Sequence, residues 1–63
     1  MADLTRTIEI DPNYALAYAL RGEVYSRIGE RGLAISDLVK ALEIGLDPRT
    51  EQRSKAILEE LEQ

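Results

Sequence analysis

The chemistry this sequence could carry is weighed first on its carboxylates and tyrosines. There are twelve Asp and Glu residues and three Tyr, with no His and no Cys. A Ser-His-Asp relay, a thiolate nucleophile and the common zinc sets each need His or Cys, so all are excluded, and so is a disulfide. What is left is carboxylate acid/base work. The closest pairs are Glu59-Glu60 and Asp47 with Glu51. Such work needs a carboxyl in a shielded pocket that moves its pKa. These pairs stand among Arg, Lys, Gln and Ser, on helix faces and ends that read as solvated. Gly29-Glu30-Arg31-Gly32 has no strand before it, so it is a turn between helices and no phosphate loop. No catalytic residue, metal site or cofactor is expected.

Composition narrows the partners. The net charge is −4 and the pI near 4.6, with the eight basic residues scattered, which argues against nucleic acid. The longest apolar run, Tyr14–Leu20, is far short of a membrane span, and Met-Ala-Asp does not open a signal peptide. A cytoplasmic protein is the expectation, and the absence of Cys fits a reducing compartment. Sixty-three residues make a single domain. At that size a chain buries only about 60% of its unfolded surface. Its core supplies roughly 3–5 kcal/mol, so docking or oligomerisation would help it.

The elements follow from the breaks. Ala2–Ile10 reads as the end of a helix. Pro12 cannot continue it, and Asn13 is placed to cap the next helix, Tyr14–Ile28. That helix carries two apolar stripes, Tyr14/Tyr18/Tyr25 and Leu16/Leu20/Val24/Ile28, and so needs neighbours on two sides. Gly22 costs about 1 kcal/mol in a helix interior relative to Ala, which points to a close approach by another helix. Tyr18 and Tyr25 share its stripe and are expected in the core. Gly29 ends the helix in the left-handed conformation. A third helix from Gly32 or Leu33 to Ile44 carries Leu33, Ala34, Ile35, Leu38, Ala41, Leu42 and Ile44, and Gly45 ends it. Asp47-Pro48 repeats the Asp-Pro break two residues late, so Gly45-Leu46 reads as an insertion. The last helix, from Arg49 or Thr50 to Leu61, has one narrow stripe of Ala56, Ile57, Leu58 and Leu61. Arg21 and Asp37 lie nine residues before and seven after Glu30, so a hairpin would bring them level as an ion pair.

A repeat underlies this order. Shifted by 34 residues, Asp3, Leu4, Glu9 and Ile10 fall on Asp37, Leu38, Glu43 and Ile44, while Arg6 falls on Lys40 and Ile8 on Leu42. That is the period of one helical repeat class. Together with Tyr18, Arg21-Gly22, Tyr25, Ala34, Leu38, Ala41 and Pro48, it makes the chain resemble the tetratricopeptide repeat family. Arg21 in place of the usual Leu and the two extra residues are departures. Leu58 would stand where Gly22 recurs, which suits a helix that closes a stack.

The resemblance implies an all-α, antiparallel helix-turn-helix repeat stack, an α-solenoid. Residues 1–11 would end a partial repeat, 13–46 would form a complete one, and 48–63 a C-terminal capping helix. The chain would be a fragment or shortened form of a longer array. The resemblance further implies a protein–protein interaction module that binds a peptide segment in a concave groove. The groove residues would be Leu16, Ala19, Glu23 and Ser26, with Gln52 and Lys55 from the last helix. The helix-packing set would be Tyr18, Gly22, Tyr25, Ala34, Leu38 and Ala41. With Lys55 as the sole groove cation and Glu23 opposing, no clamp for a C-terminal carboxylate is expected. Self-assembly is the alternative, through the apolar face that the short first helix leaves uncovered, giving a homodimer.

Overall fold

The computed structural model describes residues 2–62; Met1 and Gln63 lie outside them. The described chain is all-α, with four helices: α1 (Ala2–Ile10), α2 (Ala15–Arg27), α3 (Arg31–Ile44) and α4 (Pro48–Leu61). No described helix is long and apolar enough to cross a membrane. Helix α2 is the hub, packing against α3, α1 and α4. The second contact of α4 is with α3.

Helices α2 and α3 form a hairpin. Gly29 has φ +85°, and the Glu30 amide donates to the Tyr25 carbonyl at 2.9 Å, which closes the end of α2 with a left-handed residue. The two helices then meet through small residues. Ala34, Leu38 and Ala41 of α3 are fully buried, and opposite them lies Gly22. A Cβ on Gly22 would stand 2.8 Å from Leu38 Cγ and 3.2 Å from the Ala34 carbonyl oxygen. The missing side chain is what lets the two backbones come this close.

The core of α2 is likewise small. Ala15, Ala17 and Ala19 are buried beside Gly22, while the larger Tyr14, Leu16, Leu20 and Ile28 are exposed. The two expected stripes are therefore not both covered. Tyr18 and Tyr25 are half-buried rather than core. They flank the Arg21 guanidinium, whose centre lies 5.9 Å and 5.8 Å from the two ring centroids. On α3, Leu33 is 49% exposed and so falls outside the expected apolar set.

Arg21 and Asp37 do pair across the hairpin. Nε and Nη2 of Arg21 donate to Oδ2 and Oδ1 of Asp37 at 2.7 and 2.9 Å, with the two side chains 19% and 8% exposed. A two-pronged bond in this setting fixes the register of the helices. The Asp37 hydrogen bonds raise the already high Arg21 pKa, against an opposing effect of burial, so the charge is permanent. Among the described residues no buried side-chain polar atom lacks a partner.

Two helix starts differ from expectation. Asn13 does not cap α2. Its amide donates to Asp11 Oδ1 at 3.2 Å within the turn, and Tyr14 takes the capping position without a side-chain bond. The Asp47-Pro48 pair does not repeat that turn. Asp47 is itself the N-cap, its carboxylate accepting from the Thr50 amide at 3.2 Å, and Pro48 is the first residue of α4. Pro is favoured there because its missing N–H has no helical partner to lose. The link from α3 to α4 is thus residues 45–47, shorter than the 11–14 link from α1 to α2, and Gly45-Leu46 is not an insertion that delays the last helix.

Candidate functional site: the groove between α2 and α4

An open groove of about 310 Å³ runs between α2 and α4. Helix α2 contributes Leu16, Ala19, Leu20 and Glu23, and α4 contributes Thr50, Arg53, Ser54 and Ile57. Each set has the spacing of one helical face, i, i+3, i+4 and i+7. The two sets differ by 34 residues at every position, Leu16 with Thr50, Ala19 with Arg53, Leu20 with Ser54 and Glu23 with Ile57. Ala19 and Ser54 are buried, at 5% and 2% exposed, while Leu16 and Leu20 stand open at 39% and 43%.

Charge sits on one cluster. Glu23 Oε1 accepts from Arg53 Nε at 2.9 Å, and Glu23 Oε2 accepts from Arg53 Nη2 at 2.8 Å and Arg27 Nη2 at 2.7 Å. The Glu23 side chain is only 17% exposed, whereas Arg27 and Arg53 are 70% and 61% exposed. The Arg53 hydrogen bonds hold the Glu23 carboxyl below the usual carboxylate range, outweighing burial, which acts the other way; Arg27 adds to the lowering. In return Glu23 raises the Arg53 pKa. The cluster holds one carboxylate and two guanidiniums, so it is ionised and carries +1 at neutral pH.

Of the six expected groove residues, Leu16, Ala19 and Glu23 line the groove. Ser26 does not; its hydroxyl donates to the Glu23 carbonyl oxygen at 2.7 Å, back into its own helix. Gln52 and Lys55 are exposed and off the lining, and Lys55 Nζ lies 4.0 Å from Glu51 Oε1 along α4. The groove cation is Arg53. Leu20, Thr50, Ser54 and Ile57 were also not foreseen. The signal was the 34-residue period: carried straight through to α4 from Leu16, Ala19 and Glu23, it selects Thr50, Arg53 and Ile57, whereas an assumed insertion rotates the helix to Gln52 and Lys55. The α4 stripe is corrected in the same sense. Leu58 is buried and Ile57 and Leu61 half-buried, but Ala56 is exposed and Ser54 takes its place inside. Under the 34-residue offset Gly22 matches Ala56, not Leu58.

Of the helix-packing set, Gly22, Ala34, Leu38 and Ala41 are buried together between α2 and α3. Among the described residues no three acidic side chains gather as a metal site would require. Comparisons with protein-family models, with curated proteins and with solved structures find no match. The geometry itself defines the class: a small all-α domain with an apolar groove between two helices and an ion cluster at its edge.

Proposed function

We propose that this chain is a protein–protein interaction module of tetratricopeptide-repeat type, with α2–α3 as its complete repeat and α4 as the helix that closes the stack. It binds a segment of a partner protein in the α2–α4 groove and carries out no catalysis. The observation that supports this most is the groove itself, in which Leu16 and Leu20 remain 39% and 43% exposed beside Ile57. A docked helix or extended segment covers such residues with its own apolar side chains. The polar charge of α4's outer face suits an end helix, because nothing further need stack on it.

A random-peptide display screen tests the reading. Peptides selected on the natural chain should lose binding to Leu16→Asp and keep binding to Val39→Asp, a control at a residue 42% exposed on α3. Equal loss in both variants, or in neither, would remove the groove from the account.

Self-assembly is the second reading, favoured by Ile10 at 76% and Tyr14 at 45% exposure around the α1–α2 turn. Sedimentation equilibrium separates the two. A dimer that Ile10→Asp dissociates, with peptide binding absent, would support assembly over capture.

A further inference from the structure

The geometry points to a partner segment that carries an acidic side chain beside its apolar residues, with that carboxylate received by Arg27 and Arg53 at the groove's edge. The inference rests on the groove reading above and names the chemistry of its partner.

Three observations carry it. The first is the charge count. The whole chain is −4, yet the cluster on the groove is +1, because one carboxylate is shared by two guanidiniums. The second is the donors still free. A guanidinium has five N–H donors. Arg53 uses its Nε and Nη2 on Glu23, and Arg27 uses only Nη2. Nη1 of Arg53, with Nε and Nη1 of Arg27, remain available on side chains that are 61% and 70% exposed. The third is position. Arg53 lies on the same face of α4 as Ser54 and Ile57, so a carboxylate bound there stands next to the apolar lining.

Glu23 is the organiser of this receptor. Its two oxygens hold both guanidiniums in one place before any partner arrives. An incoming carboxylate bridges their free edges and brings the cluster from +1 to neutral. A basic side chain meets the opposite situation: the only carboxylate on the groove lining is already bonded to two guanidiniums.

The test is a ladder of cluster charge. Synthetic peptides with both ends blocked share one apolar core of Leu and Ile and differ only in a flanking Glu, Gln or Lys. Each is titrated by fluorescence anisotropy against the natural chain and its variants. On the natural chain the Glu peptide should bind about three- to fivefold more tightly than the Gln peptide, the size of an exposed ion pair, and the Lys peptide more weakly than both. Arg27→Gln takes the cluster to zero while leaving the Glu23–Arg53 bridge in place, and it should abolish the preference without moving the Gln peptide. Glu23→Gln takes the cluster to +2 but removes the carboxylate that holds both guanidiniums in place, so the Glu preference should persist without widening. The double change Arg27→Gln with Arg53→Gln takes it to −1 and should favour the Lys peptide. Salt should compress these differences.

Far-ultraviolet circular dichroism of each variant confirms that it is folded, and Arg27→Gln alone suffices where the others are not. Binding that Leu16→Asp abolishes, but that ignores the flanking charge, overturns this inference and leaves the groove standing. Binding by none of the three peptides, with the natural chain and Leu16→Asp alike, overturns the groove reading itself.

Discussion

Replacing Gly22 by Ala tests whether the α2–α3 contact is as tight as its geometry requires. In an open helix the change would help, since Ala is better than Gly by about 1 kcal/mol. Here the new Cβ would lie 2.8 Å from Leu38 Cγ, 3.1 Å from Leu38 Cδ2 and 3.2 Å from the Ala34 carbonyl oxygen. Ordinary contacts between carbon atoms fall at about 3.5–4.0 Å. Leu38 has no escape, because it is fully buried along with Ala34 and Ala41. The Ala34 oxygen belongs to the backbone of α3 and moves only with its helix. Overpacking of this kind costs about 1–3 kcal/mol. With two neighbours that cannot yield, the cost falls at the upper end, and after the helix gain a net loss of about 2 kcal/mol remains.

That is a large share of the roughly 3–5 kcal/mol a chain of this size commands. At about 2.1 cal/mol/K per residue, unfolding this chain carries near 0.13 kcal/mol/K, so Tm should fall by about 15 °C. Thermal and urea unfolding followed by circular dichroism measure it. Gly32→Ala is the matched control. Gly32 lies in the first turn of α3, is exposed, and a Cβ there meets nothing within 4 Å. It should gain about 0.5–1 kcal/mol. A Gly22→Ala chain as stable as the natural one, or a Gly32→Ala chain that loses as much, would refute the close-approach argument.

Three further outcomes follow from the bonds described. Arg21→Lys should cost about 1–2 kcal/mol in urea unfolding, because Lys loses the two-pronged bond to Asp37 and the contact with both tyrosine rings. Asp37→Leu, which leaves the Arg21 charge without its partner, should cost more. Asp47→Ala removes the cap of α4 and should cost about 1 kcal/mol, with Asp47→Asn close to natural. Acid should destabilise the fold through Glu23 and Asp47. Both carboxyls are held below their ordinary values of 4.5 and 3.8, Glu23 chiefly by Arg53 and Asp47 chiefly by Thr50. The unfolded chain therefore takes up protons first, and the stability these groups add is complete above about pH 4.5 and lost as pH falls through the lowered folded values. Arg53→Gln should flatten that acid decline, as read from urea midpoints at successive pH values.

Much of the fold was legible because glycine and proline mark where helices stop. Gly29 and Gly45 end α2 and α3 with positive φ, and four helices stand where the breaks put them. The Arg21–Asp37 pair was legible from its distance to the turn, since a hairpin brings residues at similar distances level. The covering of α2 was less so. Periodicity counts Leu and Tyr as core and treats Ala as neutral, but in close helix contacts the small residue is the one that fits. Hence Ala15, Ala17 and Ala19 are buried while Leu16 and Leu20 are not. Half of the groove was misplaced for a different reason. Asp-Pro occurs twice but does two things, a turn at Asp11-Pro12 and a cap plus first helical residue at Asp47-Pro48. Which of these a given Asp-Pro adopts depends on whether the next amides are already helical, and dipeptide identity does not determine that.

The misplaced half and the small-residue core are connected. Helix α2 has neighbours on three sides, α1, α3 and α4, and short side chains let all three approach. Ala15, Ala17, Ala19 and Gly22 take the buried positions, and Leu16 and Leu20 are left on the open side of α2, where they line the groove with α4. An apolar groove is thus a direct consequence of building the core from alanine and glycine. At the polar edge of the groove α2 and α4 are linked by Glu23 and Arg53, thirty residues apart in sequence and bonded at 2.8 and 2.9 Å. An ion pair this exposed adds only about 0–1 kcal/mol to stability. Its geometric effect is to tie α4 to α2 at the edge of the groove that both helices line.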